Sequence, residues 1–389
     1  MNITSQNIKN SIISKAKELG FEQIGFARYE ELEQESERLS EWLEKGYDAD
    51  MAWIKNGFEK RKDIKNILPE AKSVISLAYN YYTPFEHDDN KPKISRYAWG
   101  IDYHKVLKKK LKELCNIIEQ TTLRTKTRSF QPYPLLTKEG TENFLPLDKG
   151  ECPQDERVLT KYYVDDGPVM DKAWAVKAGL GWQGKHSNVI NPDFGSWFFI
   201  CSIITNIEFD SYNTQIEDQC GSCTLCISAC PTGAIADEYV VDSNRCISYH
   251  TIENRGKIPQ EINLAGWIFG CDVCQDVCPY NSPKYNRVTN EERFFPQIIR
   301  LPLDKGECPK DEGVKTSPYT LLAKEGIKAR LPLPGGLPTE TLAQAGFSSK
   351  TELESLTEEE FNTIFADSPI KRTKFKGWKR NLEKVKEFH

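Results

Sequence analysis

The sequence predicts a mixed helix-and-sheet protein, α/β or α+β, in three parts: residues 1–215, 216–290 and 291–389. Three observations predict this. Strand-like and helix-like stretches alternate through the first part, as they do when helices cover a sheet. Eight cysteines crowd between Cys220 and Cys278. The last part closes on a short capped helix and a basic stretch with aromatic residues between its cations. A chain of 389 residues has room for two or three domains.

Ile8, Ile12, Ile13, Ala16 and Leu19 recur at helical intervals within Met1–Gly20 and predict an amphipathic surface helix, without the apolar core or twin arginines of a secretion leader. Ser73–Tyr79 and Ser196–Thr205 are short, apolar and rich in β-branched or aromatic residues, which predicts buried strands. Between them, Lys105–Gln120 and Asp171–Ala178 read as helices, the second stopped by Gly179. Cys115 and Cys201 fall in these helix and strand patterns and read as packed thiols. Near the C-terminus, Thr357 before Glu358, Glu359 and Glu360 is an N-cap with an acidic first turn. No window reaches the apolar length of a membrane span.

Two passages interrupt this order. Residues 145–158 and 301–314 are the same phrase apart from two positions, and the phrases at 135–140 and 321–326 are also shared, in swapped order. A structural repeat keeps its order and period. Residues 131–161 and 298–336 are therefore read as irregular surface insertions, with Cys152 and Cys308 belonging to them. Excising the first would lead Ser129 and Phe130 directly into Tyr162-Tyr163-Val164-Asp165, a strand approaching a turn.

The cysteines carry the chemistry. Cys220, Cys223, Cys226 and Cys230-Pro231 follow the bacterial ferredoxin run, in which three thiolates hold one [4Fe-4S] cluster and the fourth reaches a neighbouring one. Cys271, Cys274 and Cys278-Pro279 repeat the ending, but Ile268 stands where the first cysteine belongs, and Cys246 is the candidate replacement. Ligand counting then gives Cys220, Cys223, Cys226 and Cys278 to one cluster and Cys230, Cys246, Cys271 and Cys274 to the other. Zinc sites and a disulfide framework are the plainer readings, but structural zinc favours two separated cysteine pairs and disulfides need an oxidising compartment. Such a module moves single electrons, and most of the chain is left to house whatever accepts them.

Two further patterns fall short. Gly179-Leu-Gly181-Trp-Gln-Gly184 fits a dinucleotide fingerprint but follows a helix instead of a strand. Asp102-Tyr-His104 resembles a cobalt-ligating element of corrinoid proteins, yet Leu107 replaces its glycine, so His104 is not assigned as a ligand.

Taken in order, Arg96-Tyr-Ala-Trp-Gly100, Asp102-Tyr-His104, Val164-Asp165-Asp-Gly-Pro168, Ala178–Lys185, Gly195-Ser-Trp197 and the offset cysteine set resemble the epoxyqueuosine reductase (QueG) family. The resemblance covers nearly everything outside the insertions and the extreme N-terminus. It implies a cobalamin between the N-terminal domain and two [4Fe-4S] clusters. The implied substrate is a tRNA carrying epoxyqueuosine at the wobble base, reduced to queuosine by cobalt that the clusters bring to a nucleophilic state. By similarity Asp165 is the acid that protonates the epoxide oxygen, a role that needs a carboxyl pKa raised by burial or nearby negative charge. Outside the family, an Asp-Asp-Gly-Pro sequence is ordinary turn chemistry. The resemblance also implies cofactor contacts at Arg61, Ser95, Val189, Ile200, Ser248 and Asp272, with Lys185 and His186 near the pocket.

The expected partners are the tRNA and an external low-potential donor of the ferredoxin or flavodoxin type, with the chain a cytoplasmic monomer off the membrane. The alternatives are an iron-sulfur electron-transfer subunit, which leaves some 215 N-terminal residues without a task, and a corrinoid reductive dehalogenase. The net charge of −5 argues weakly against nucleic acid. Its distribution does not. Lys371, Arg372, Lys374, Lys376, Lys379 and Arg380, with Phe375 and Trp378 among them, suit phosphates and exposed bases, although a solvated basic helix has the same composition.

Overall fold

Four strands of one antiparallel sheet organise the N-terminal part of the computed structural model, which describes residues 5–87, 91–129, 158–296 and 350–386. Helix α1 (Ser5–Glu18) leads into strand β1 (Gln23–Arg28), helices α2 (Glu33–Glu44), α3 (Ala52–Asn56) and α4 (Phe58–Lys62), and then the central strand β2 (Ser73–Asn80). After the short β3 (Lys93–Ile94), helix α5 (Tyr103–Ser129) and strand β4 (Thr160–Tyr163), helix α6 (Asp171–Lys177) precedes β5 (Trp182–Gln183), β6 (Val189–Ile190) and β7 (Phe198–Thr205). The sheet order is β1-β2-β7-β4. Registers such as Gln23↔Ala78, Ser73↔Thr205 and Tyr163↔Ser202 are antiparallel throughout. The fold is therefore of the α+β kind: adjacent strands alternate in direction, which frees helices from bridging parallel neighbours.

Every residue of β2 is buried, because helices cover both faces of the sheet. On one face α1 and α5 pack Ile12, Ala16, Val106, Leu107 and Leu111 against Phe26, Ile75 and Leu77. On the other, Trp174 and Ala175 of α6 pack against Ala27, Val74 and Ile204. Cys115 and Cys201 are buried, as packed thiols should be. The described end of the first proposed insertion is structured: Val158 is buried in the sheet core, and Thr160–Lys161 belong to strand β4; residues 131–157 of that insertion, and all of the second, lie outside the described residues.

The cysteine-rich part is built from small pieces: α7 (Leu225–Ala229), β8 (Ile235–Asp237), β9 (Val240–Val241), α8 (Ile247–Ile252), β10 (Trp267–Phe269) and α9 (Val273–Asp276). It docks on the sheet domain at two tight places. Strand β10 pairs in parallel with β3, and Gly270, at φ +70°, passes where a Cβ would lie 2.4 Å from that of Ser95. At Gly195, φ +72°, a Cβ would meet the Asn281 side chain at 2.2 Å. Only glycine fits such approaches without displacing backbone. Beside Gly195, the Ser196 amide donates to Asn281 Oδ1 at 2.7 Å and the Ser196 hydroxyl to Gln275 Oε1 at 2.9 Å.

The C-terminal helices α10 (Lys350–Ser355), α11 (Glu358–Ile364) and α12 (Lys374–Lys386) close a further core. Thr357 caps α11 with a reciprocal capping box to Glu360. Trp378 is fully buried against Phe361 and Phe365, with ring centroids 5.8 and 5.1 Å away. Arg380 donates to the carbonyls of His250, Asn254 and Gly256 at 2.6–2.7 Å. Neither a binding arm nor a solvated basic helix describes this stretch fully: one side of α12 carries Trp378, Leu382 and Val385 at helical spacing, so that side packs.

Candidate functional site

Ile268 shows why the cysteine run is offset. It lies in β10, completely buried, with its carbonyl accepting from Asn381 Nδ2 at 2.9 Å. A position that locks the C-terminal helix to the module faces a core and has no room to face a cluster. Cys246 instead stands at the N-terminus of α8, half-buried.

Several of the eight thiols feel one another's charge. Burial raises the pKa of Cys278 to about 11, and the charges of Cys220, Cys226 and Cys223 add to the shift. Burial likewise raises Cys274 far above its ordinary value, with Cys246, Asp272, Cys230 and Cys226 adding to it, and raises Cys271 with help from Cys274, Asp272 and Cys246. Thiolates near one another repel unless a cation sits among them, which is what a bound cluster would supply. These couplings cross between the sets, since Cys226 also acts on Cys274, so the division into two sets rests on ligand counting.

Only the second group opens onto a cavity of about 980 Å³ between the sheet domain and the cysteine module. Cys230, Cys246, Cys271 and Cys274 form part of its wall; Ser95, Asp165, Val189, Ile200 and Ser248 also line it. Arg61 and Asp272, expected as contacts, do not line it. Asp272 is fully buried, accepting from the Ser95 hydroxyl and from the Arg96 amide at 2.7 Å, so it fixes Ser95 from behind. Arg61 is turned toward the carbonyls of Trp53 and Ile54, at 3.3 and 3.4 Å. Lys185 is also behind the wall, reaching the Gly221 carbonyl at 2.7 Å and so holding the loop between Cys220 and Cys223.

His186 faces the cavity but is 4% exposed, not a surface residue. Its Nδ1 accepts from the Asn188 amide at 3.2 Å, leaving the proton on Nε2, which has no hydrogen-bond partner among the described residues. Burial, with Lys172 nearby, lowers its pKa to about 4 and keeps the ring neutral. A buried donor without an acceptor is costly. Together with Ser187, Asn188, Ser248 and Gln275 on the wall, it fits a large ligand rimmed with amide groups, which is the chemistry of a corrin.

Asp165 projects from the turn after β4, at φ +54°, a conformation that Asp tolerates better than most residues. Tyr103 donates to its Oδ2 at 3.0 Å. Its side chain is exposed, so the protein alone does not supply the burial that an acid near neutrality needs. Beside it Asp171, which sequence reasoning passed over as a helix residue, also lines the cavity, and burial pushes its pKa up to about 7. His104, bonded through Nδ1 to Asp102 at 2.8 Å, is on the same wall.

Residues 61–131 match the family model described as epoxyqueuosine reductase QueG, DUF1730, and residues 219–281 match the 4Fe-4S double cluster binding domain. An epoxyqueuosine reductase of Cellulophaga algicola is 35% identical over 98% of this chain and 99% of its own length. The chain belongs to the epoxyqueuosine reductase family. The reductase of a Synechocystis species is 44% identical over 70% of this chain and 84% of its own. Two solved epoxyqueuosine reductases superpose with a TM-score of 0.65 at 25% identity, each over 98% of this chain. They cover 82% and 81% of the respective solved chains, and the second was solved with an epoxyqueuosine-modified stem loop of tRNA-Tyr. Like its family, this chain is an oxidoreductase with a double-cluster module. Among the described residues, no helix is long and apolar enough to cross a membrane.

Proposed function

We propose that this chain reduces epoxyqueuosine to queuosine at the wobble position of a tRNA. Residues 1–215 would hold a cobalamin, 216–290 two [4Fe-4S] clusters, and 291–389 would close the substrate side. The observation that carries this reading is the single cavity bounded by Asp165 on one wall and by Cys230, Cys246, Cys271 and Cys274 on another. A plain electron relay has no use for such a space.

The overall change consumes two electrons and two protons: the two C–O bonds of the epoxide are lost, a C=C bond forms, and the oxygen leaves as water. When bound, cobalamin supplies a strongly reducing cobalt centre, fed one electron at a time by clusters on the two cysteine sets. Val189 and Ile200 would offer it apolar surface, and Ser95, Ser248 and the Nε2 proton of His186 would meet its amides. Asp165 would hand a proton to the epoxide oxygen, oriented by Tyr103. Because its side chain is exposed, the water-poor surroundings that keep a carboxyl protonated would come from the ligands closing over it. Lys105, Lys371 and Arg372 on the same lining would meet tRNA phosphates.

Electrons would come from a ferredoxin or flavodoxin through the first cluster, whose Gly221–Leu225 loop is largely exposed, with the enzyme a cytoplasmic monomer. Anaerobic reconstitution with cobalamin, a low-potential reductant and an epoxyqueuosine-bearing stem loop, followed by nucleoside mass analysis, tests the reading. Queuosine is the expected product, and its absence with both cofactors loaded would overturn it.

A further inference from the structure

We propose that Trp53 and Arg372 form a stacking site at the cavity mouth for a single-stranded tRNA base that flanks the modified one. The proposal rests on the tRNA reading above and adds the residues that grip the loop. Trp53 is 45% exposed although it lines the cavity. Among the described residues only one other large hydrophobic, Leu225, is so exposed, and it lies on the cluster loop away from this lining. Leaving an indole in water forgoes the burial that normally holds a Trp in place.

The platform is nonetheless braced. The Arg61 guanidinium, half-buried behind α3, holds the carbonyls of both Trp53 and Ile54. Gly57 leaves it room, since a Cβ there would lie 2.1 Å from Arg61 Nη1. A half-buried cation used to hold an exposed aromatic residue argues that the orientation of the ring matters. In front of the ring, the Arg372 guanidinium lies 5.9 Å from its centroid while its Nε bonds Glu253. Lys371 and Lys105 line the same cavity, Lys105 paired with Asp367 at 2.5 Å.

An aromatic face bordered by cations takes a base by its π-face and the adjoining phosphate by charge. A protein helix would instead need a continuous apolar groove, and the charged Arg372 beside the ring, with Lys371 on the same lining, does not make one. A base that enters a buried pocket must also leave its neighbours unstacked, and a platform at the rim compensates for that loss. Trp53 and Arg372 are thus positioned to set affinity for the loop, with the chemistry left to residues deeper in the cavity.

The test measures binding of an epoxyqueuosine-bearing anticodon stem loop to cobalamin-loaded, cluster-loaded enzyme by fluorescence anisotropy, with cobalamin content read by absorbance. Trp53→Ala should weaken binding about tenfold or more, the size of one lost base–aromatic stack. Trp53→Phe should stay within about threefold, because every base can stack on a phenyl ring. Arg372→Gln should weaken binding less and flatten its salt dependence. Wild-type affinity in Trp53→Ala, equal loss in Trp53→Phe and Trp53→Ala, or a loss that tracks missing cobalamin would each overturn the proposal. If the wild-type holoenzyme itself fails to bind the stem loop, the tRNA reading fails with it.

Discussion

Tyr103 donates a 3.0 Å hydrogen bond to Asp165 from a position that is itself fixed, its ring stacked on Phe199 at 4.2 Å and 8°. Burial, then the charge of Asp165, holds the Tyr103 phenol far above its ordinary pKa, so at any working pH it remains a donor. The contact therefore aims an exposed carboxyl that otherwise has little to hold it. Asp165→Asn keeps the shape and the tolerance for positive φ, so it should retain cobalamin and both clusters while turnover falls by about 10²–10⁴, the span of a lost general acid. Tyr103→Phe should fall less, about tenfold, with the same cofactor content. Single-turnover assays with iron and cobalamin analysis check both; near-normal turnover in Asp165→Asn removes it from the mechanism.

Cys246→Ser should remove one cluster and leave the other. Iron content would drop by about half, and the electron paramagnetic resonance signal of the set built on Cys220, Cys223, Cys226 and Cys278 should persist. Adding Ile268→Cys restores the ferredoxin spacing in sequence but should not restore the cluster. Position 268 is buried in β10, and the smaller side chain would cost about 1–3 kcal/mol of stability instead. Recovery of the second cluster in the double variant would show that Cys246 is dispensable.

The cysteine run, the two long strands and α6 were legible because their signals are local: spacing, β-branched content and a stopping glycine. Gly179 does adopt φ +70° after α6. What escaped the sequence depends on partners distant along the chain. Arg61 reads as any surface cation, and nothing nearby in sequence says that Gly57 clears a path for it to brace Trp53. Asp272 adjoins a cysteine and so suggests a cofactor contact, yet it is claimed by Ser95 and Arg96, 177 and 176 residues away. The α12 composition suggests nucleic acid because composition does not record which side faces Phe361.

That last correction separates the basic residues into two classes. Trp378→Ala should cost about 3–5 kcal/mol of stability through a large core cavity, and Arg380→Ala about 2 kcal/mol or more from carbonyls left without their donor. Neither should change the salt dependence of tRNA binding beyond what unfolding explains. Lys371→Gln, on the cavity lining, should leave the melting temperature alone and lower the salt slope by about one. Chemical denaturation and a salt titration of stem-loop binding distinguish the two classes.

Asp171 makes stability depend on pH in a direction opposite to that of a salt-bridged carboxylate. Burial, together with Asp165 and Asp166, pushes its pKa from an ordinary 3.8 up to about 7, against the Ser202 hydroxyl that donates to it and the Arg61 charge. Tyr163 and Cys201 also feel its charge. A carboxyl whose folded pKa is raised keeps its proton in the folded state after the unfolded chain has lost its own, so folding binds a proton between pH 4 and 7. The contribution of Asp171 is neutral below about pH 4, becomes unfavourable as pH rises through that window, and is fully unfavourable above it. Asp171→Asn, which cannot ionise, should therefore melt above the wild type at pH 8, with the difference shrinking steadily as pH falls toward 5. Melting curves of the two proteins across that range decide it; a difference that is constant with pH would mean that Asp171 stays ionised throughout and owes its place to the Ser202 contact alone.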